Sequence, residues 1–141
     1  MNTIIQSKPA RIAKTFFLAC IIALSAQVSL ADAPCPVTLI DGSYTQGGIS
    51  LSFRNIGKLP IQQLELDCAP LGGQSAARTA CHVESGLFFP GTQSAMSFLY
   101  PGNRLNAVLV SVKRIRLSDG NIWMATRSQF CPTLKIRRKP Q

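Results

Sequence analysis

Residues 49–68, ISLSFRNIGKLPIQQLELDC, set the rhythm of the chain. Ile49, Leu51 and Phe53 alternate with Ser50, Ser52 and Arg54, the period of two imposed by a strand with one buried face. Asn55 to Pro60 then reads as a loop, because Asn-Ile-Gly tolerates positive φ and Pro60 cannot continue a central strand. Leu64, Leu66 and Cys68 next alternate with Gln63, Glu65 and Asp67, predicting a second half-buried strand. Two such strands joined by a short loop form the nucleus of an antiparallel sheet.

The same reading extends in both directions. Pro36 to Ile40 is a β-prone run ended by Asp41-Gly42, a turn signal, with an edge strand over Ser43–Gln46 and a turn at Gly47-Gly48. Cys68 to Cys81, rich in Gly and Ala, reads as a surface loop with room for one helical turn. His82 to Phe89 leads to a turn at Pro90-Gly91, and Ser94, Met96, Phe98 and Tyr100 mark the inner face of a further strand. From Asn106, Val108, Val110 and Val112 share one face, but Ile115 and Leu117 fall on the opposite phase. One extra residue in a strand produces that switch, so a bulge or break is expected near Lys113. Asp119-Gly120 is a hairpin signal, and Ile122-Trp123-Met124 opens the return strand. About seven short strands at these spacings predict an all-β, immunoglobulin-like antiparallel β-sandwich.

The N-terminus has a different pattern. Lys8, Arg11 and Lys14 precede an apolar run from Phe16 to Leu24, and Ser29-Leu30-Ala31 places small residues where a signal peptidase reads. Ser25 and Gln27 interrupt the run before the ~20 residues a membrane span needs. The expectation is a signal peptide over 1–31, a β-sandwich domain over 32–134 and a basic C-terminal tail over 135–141. The protein is then exported, to the periplasm or the medium, with no membrane span after cleavage. Removing the leader changes the charge picture as well: 12 basic and six acidic residues remain, a formal charge of +6 in place of +9.

Cleavage removes Cys20 and leaves Cys35, Cys68, Cys81 and Cys131. An even number in an exported chain implies a disulfide framework, with three possible pairings. Cys35 opens the domain and Cys131 nearly closes it, while Cys68 and Cys81 bracket one segment, so position favours Cys35–Cys131 and Cys68–Cys81. The competing use of these thiolates, a zinc site with His82, lacks any C-x-x-C pair. No metal or other cofactor is expected.

The run Leu51 to Ile61, followed by Val112 to Leu117 and by Asp119-Gly120-Asn121-Ile122-Trp123, resembles the small immunoglobulin- or fibronectin-like domains of bacterial exported proteins. In those, a strand ending in Phe-x-Asn runs into a loop containing Gly and Pro, and a late hairpin bears an Asp-Gly-x-x-Trp turn. The resemblance covers about a third of the domain, and the two paired cysteines depart from most such domains. It implies the fold and an adhesive or accessory role, without an activity.

Chemistry is sparse. The single histidine, His82, adjoins a disulfide cysteine, and no G-x-S-x-G elbow accompanies it. The acidic residues Glu65 and Asp67 share an outward strand face, and Asp41 and Asp119 precede turn glycines. A non-enzymatic binding or envelope-accessory module is therefore expected. Its candidate surfaces are an anion or partner contact at Lys113, Arg114 and Arg116, and an apolar contact at Phe88 or Phe89, one of which must face outward. The partner class is a protein or envelope component, or an anionic surface. Nucleic acid is excluded by compartment and by the lack of aromatics among the charges. The alternative is a secreted protease inhibitor presenting the 68–81 loop, with Arg78 or Leu71 exposed on it.

Overall fold

The computed structural model describes residues 34–45, 47–71, 77–101 and 106–138. The expected signal peptide over 1–31 lies outside these residues, as do the apex of the 68–81 segment and Lys139. The described chain is all-β, with two antiparallel sheets and no helix. Its eight strands are β1 (Val37–Thr45), β2 (Gly48–Asn55), β3 (Ile61–Pro70), β4 (Thr79–Phe88), β5 (Gln93–Phe98), β6 (Ala107–Leu117), β7 (Ile122–Met124) and β8 (Leu134–Arg137). One sheet has the order β1-β2-β5, and the other has β4-β3-β6 with β7 and β8 both on the far side of β6.

The alternating residues fill the space between the sheets. Ile49, Leu51 and Phe53 from β2 meet Ile61, Leu64, Leu66 and Cys68 from β3, all buried. Val108, Val110 and Val112 continue this layer on β6. Trp123 is 1% exposed and Phe53 fully buried, while Phe98 and Tyr100 pack against the core from its margin. Burial of each large side chain contributes about 1.5–3 kcal/mol, so these alternations are the main determinant of the fold.

The phase switch on β6 is a bulge at the expected place. Val112 pairs with Leu66 and Arg114 with Glu65, leaving Lys113 as the extra residue. Val112 and Ile115 are consequently both buried although three positions apart.

Three expectations are corrected. Asp41-Gly42 is not a turn: β1 runs through it, absorbing Ile40 in a bulge between Leu39 and Asp41. Gly42 answers a close approach, since a Cβ there would lie 2.6 Å from Ile136 Cδ1. Cys68 to Cys81 is not a free loop, because β3 extends to Pro70 and β4 begins at Thr79, with Cys68 paired opposite Thr79. Residues 135–137 are not a tail. They belong to β8, where Ile136 is 1% exposed and pairs with Val108. Ile136 and the half-buried Leu134 hold this strand from one face, while Lys135 and Arg137 alternate outward.

The disulfides join Cys35 to Cys131 and Cys68 to Cys81, with Cα–Cα distances of 5.2 and 5.6 Å. Cys68–Cys81 lies within one sheet. Cys35–Cys131 ties the chain just before β1 to the connection between β7 and β8, and so crosses from one sheet to the other.

Candidate functional site

The bulge at Lys113 decides what the basic cluster can do. Doubling a residue opposite Glu65 turns the side chains of Lys113 and Arg114 towards the same carboxylate. Lys113 Nζ donates to Glu65 Oε1 at 2.9 Å, and Arg114 Nε to Oε2 at 2.9 Å. The hydrogen bond from Lys113 holds the Glu65 carboxyl below the ordinary 4.5, against the opposing effect of burial and with help from the Arg114 charge. The same bond raises the Lys113 ammonium above its ordinary 10.5. Two of the three expected contact residues are thus bound to an internal acid. Arg116, exposed and opposite Gln63 and Ile122, stands apart from them on the same sheet face.

Beside this ion-pair group lies a cleft of about 660 Å³. Its floor comes from β3 and β6, through Asp67, Ser111 and Lys113. One wall is Arg78, just before β4; the other is the stretch from Met124 to Thr133. That stretch is the interruption between β7 and β8, and it is anchored at several points. Ala125 N donates to Lys113 O at 2.9 Å, Thr126 N to Gln129 O at 2.7 Å, and Cys131 is bridged to Cys35. Held in this way, the stretch displays Met124 at 54% exposure and Phe130 at 64% beside the Arg127 guanidinium. Asp67 Oδ1 is sheltered from solvent there and has no hydrogen-bond partner.

The arrangement sets two exposed guanidinium groups, Arg78 and Arg127, around an exposed apolar pair, with Lys113 held to Glu65 at the edge and one acceptor at the base. It suits a partner that brings carboxylate or phosphate oxygens together with an apolar group, because guanidinium forks grip such oxygens in pairs. The two surfaces separated in the sequence, the 68–81 segment and the Lys113 cluster, meet here. Arg127, Met124 and Phe130 are not singled out by sequence reasoning. Their only signal is the Arg-Ser-Gln-Phe run before Cys131, which has neither strand nor helix periodicity.

The apolar candidates separate cleanly. Phe88 points inward, its ring edge-on to Phe53 with centroids 5.0 Å apart, whereas Phe89 is 52% exposed. Phe89 lies at the end of the sandwich that also carries the β2–β3 loop, and Asn55 fixes the two together. The buried Asn55 side chain donates to Leu59 O and Phe88 O, each at 2.9 Å, and accepts from Gly57 N at 2.9 Å. His82 stacks on Phe98, with centroids 4.4 Å apart, and contacts Glu84 Oε2 through Nε2 at 2.7 Å. It therefore packs β4 against β5. On the disulfide-held segment Arg78 is exposed but Leu71 is half-buried, its N–H donating to Ala107 O at 3.0 Å. The segment's apex, 72–76, lies outside the described residues.

Among the described residues no cluster of three or more His, Cys, Asp or Glu side chains is placed to hold a metal ion, and no helix is long and apolar enough to cross a membrane. No protein-family model matches the chain, and no curated protein matches it. Among solved structures, a β-glucosidase from Kluyveromyces marxianus aligns with 73% of this chain at 15% identity and a TM-score of 0.38, the chain covering 14% of that enzyme. The same enzyme in complex with glucose aligns at 14% identity and a TM-score of 0.37, with 15% of it covered. A target of the Northeast Structural Genomics Consortium aligns with 74% of the chain at 12% identity and a TM-score of 0.36, with 83% of that chain covered. At these scores none of the three lends this chain an activity.

Proposed function

We propose that the protein is an exported, non-enzymatic, immunoglobulin-like β-sandwich that binds an acidic segment of another protein or envelope component. The strand order, β1-β2-β5 in one sheet and β4-β3-β6 followed by β7 and β8 in the other, supports that architecture. Two disulfides agree with an oxidising compartment outside the cytoplasm.

One observation carries the binding reading: the cleft that gathers Arg78 and Arg127 around the exposed Met124 and Phe130. Arginine and aromatic residues dominate the energetics of protein interfaces, and an anchored strand connection holds them ready at low entropic cost. The test is photo-crosslinking in the producing cell, with a photoreactive residue at Phe130 and, as a control, at Ser50 on the other sheet. A discrete adduct at Phe130 is expected, absent at Ser50 and lost when Arg78→Glu and Arg127→Glu are added. An adduct that persists through both charge reversals overturns the reading.

The alternative, a protease inhibitor acting through the 68–81 segment, keeps Arg78 as its exposed residue. A protease-inhibition screen separates the two, since the binding module has no effect in it.

A further inference from the structure

A second cleft lies at the end of the sandwich, back to back with the first. Its volume is about 480 Å³, and it is lined by the chain start Pro34–Pro36, by Ile56, Gly57, Lys58 and Leu59 of the β2–β3 loop, and by Leu117 and Trp123. The Cys35–Cys131 bridge is the common wall, because Cys35 lines this cleft and Cys131 the other.

Its walls are fixed by main-chain bonds. Pro36 O accepts from both Ile56 N and Gly57 N, at 2.8 and 3.1 Å, and Asn55 clamps the loop from below. A Cβ on Gly57 would come within 2.8 Å of the Pro36 ring, so loop and chain start are in direct contact. Trp123 and Leu117 are buried and contribute an apolar floor, while Ile56 and Leu59 form a rim at 56% and 39% exposure. The only charged residue on the lining is Lys58, which makes no ion pair among the described residues.

The volume is that of a small-molecule site, and a concave apolar wall with a single cation at its mouth dictates the ligand's form. We propose that this cleft binds a single-chain amphiphile with an anionic head, of the fatty-acid type, with its hydrocarbon chain against Trp123, Ile56 and Leu59 and its carboxylate at Lys58. The proposal does not depend on the first cleft.

Trp123 is the only tryptophan in the chain and sits in the floor, so its fluorescence reports occupancy directly. The experiment titrates the purified protein with dodecanoate below its aggregation concentration, and with dodecyltrimethylammonium as a cationic chain of equal length. A saturable change with dodecanoate is expected, and at least about fivefold weaker binding of the cation, the difference one charge pair makes near water. Ile56→Asp with Leu59→Asp weakens dodecanoate by about tenfold or more, through loss of apolar contact. Lys58→Glu brings its affinity down to that of the cation with the unaltered protein, and Lys135→Glu, on the exposed face of β8, leaves it unchanged. Absence of a saturable signal overturns the proposal, as does equal binding of the two amphiphiles. The amphiphile comparison needs no variant and so stands even if a substitution unfolds the protein.

Discussion

The outer faces of the two sheets are built from different materials. On the β1-β2-β5 sheet the outward residues at the centre are short: Ser50 and Ser97 share a hydrogen bond of 2.8 Å, Ser52 donates to Asp41, and Ala95 lies beside them, with the long Arg54 and Gln93 paired to each other at one end. On the β4-β3-β6-β7 sheet they are long: Glu65, Lys113, Arg114 and Arg116, flanked by the exposed Val83, Leu87, Ile122 and Met124. Neither choice carries a backbone penalty, because β structure accepts both. What differs is reach. Short hydroxyls saturate one another at the surface and offer a partner little buried area, whereas long side chains can fold over an apolar group and still present charge. The proposed binding therefore draws on the second sheet, whereas the first covers the core with short polar groups.

The covalent links give the strongest test of this contrast. Cys35–Cys131 crosses between the sheets and closes 96 residues, while Cys68–Cys81 stays inside the second sheet and closes 13. In the chain-entropy model, Cys35→Ala with Cys131→Ala costs about 4.7 kcal/mol, and Cys68→Ala with Cys81→Ala about 3 kcal/mol. Denaturant midpoints measure both. If the second pair costs more, the cross-sheet bridge is not what holds the two faces as one unit.

A smaller effect is expected at Glu65, the centre of the charged face. Glu65→Gln removes the negative charge and one of the two acceptor oxygens that Lys113 and Arg114 use, and costs about 1 kcal/mol at neutral pH. The pH dependence has a definite sign. Because the folded-state pKa of Glu65 is depressed, its stabilisation is complete above 4.5 and is lost as the pH falls through the lower, folded value. For Lys113 the raised pKa gives the opposite limb, with stability present below 10.5 and lost as the pH rises beyond it. Thermal midpoints across the pH range should show Glu65→Gln flattening both limbs. A profile identical to that of the unaltered protein would mean the triad contributes no net stability.

The weakest effect belongs to the serine face. Ser50→Ala with Ser97→Ala removes an exposed hydroxyl pair and changes stability by about 0.5 kcal/mol or less. A larger loss in the same denaturation assay would show that this face is structural in a way its exposure conceals.

Much of the fold is legible in the order of residues. Ile49, Leu51 and Phe53 alternate without interruption, and the shift from Val112 to Ile115 announces the bulge at Lys113. The disulfide pairing is the one of three that the positions of Cys35 and Cys131 favour. Other features are hidden for physical reasons. Asp41-Gly42 carries the composition of a turn, but its glycine meets Ile136 from β8, a contact no local window contains. Lys135 to Arg137 reads as a solvated tail because one buried isoleucine among cations gives no period to count. The cleft is invisible in the sequence because Arg78, Lys113 and Arg127 come from three separate segments, and only the pairing of β3, β4 and β6 brings them around one space. In the same way, no local pattern reveals that Glu65 occupies Lys113 and Arg114.

The division of one sheet edge between β7 and β8 also has a kinetic consequence. Both pair with β6, and β8 additionally meets β1 through the Tyr44–Arg138 bridge, so the first strand and the last one described depend on each other. Contacts this far apart in sequence must overcome their loop-closure entropy before they stabilise anything, which makes such topologies slow to fold. Until β8 and Cys131 are present, β1 lacks both its second neighbour and its covalent partner. The β1 edge is thus completed only after nearly all of the strands have been made.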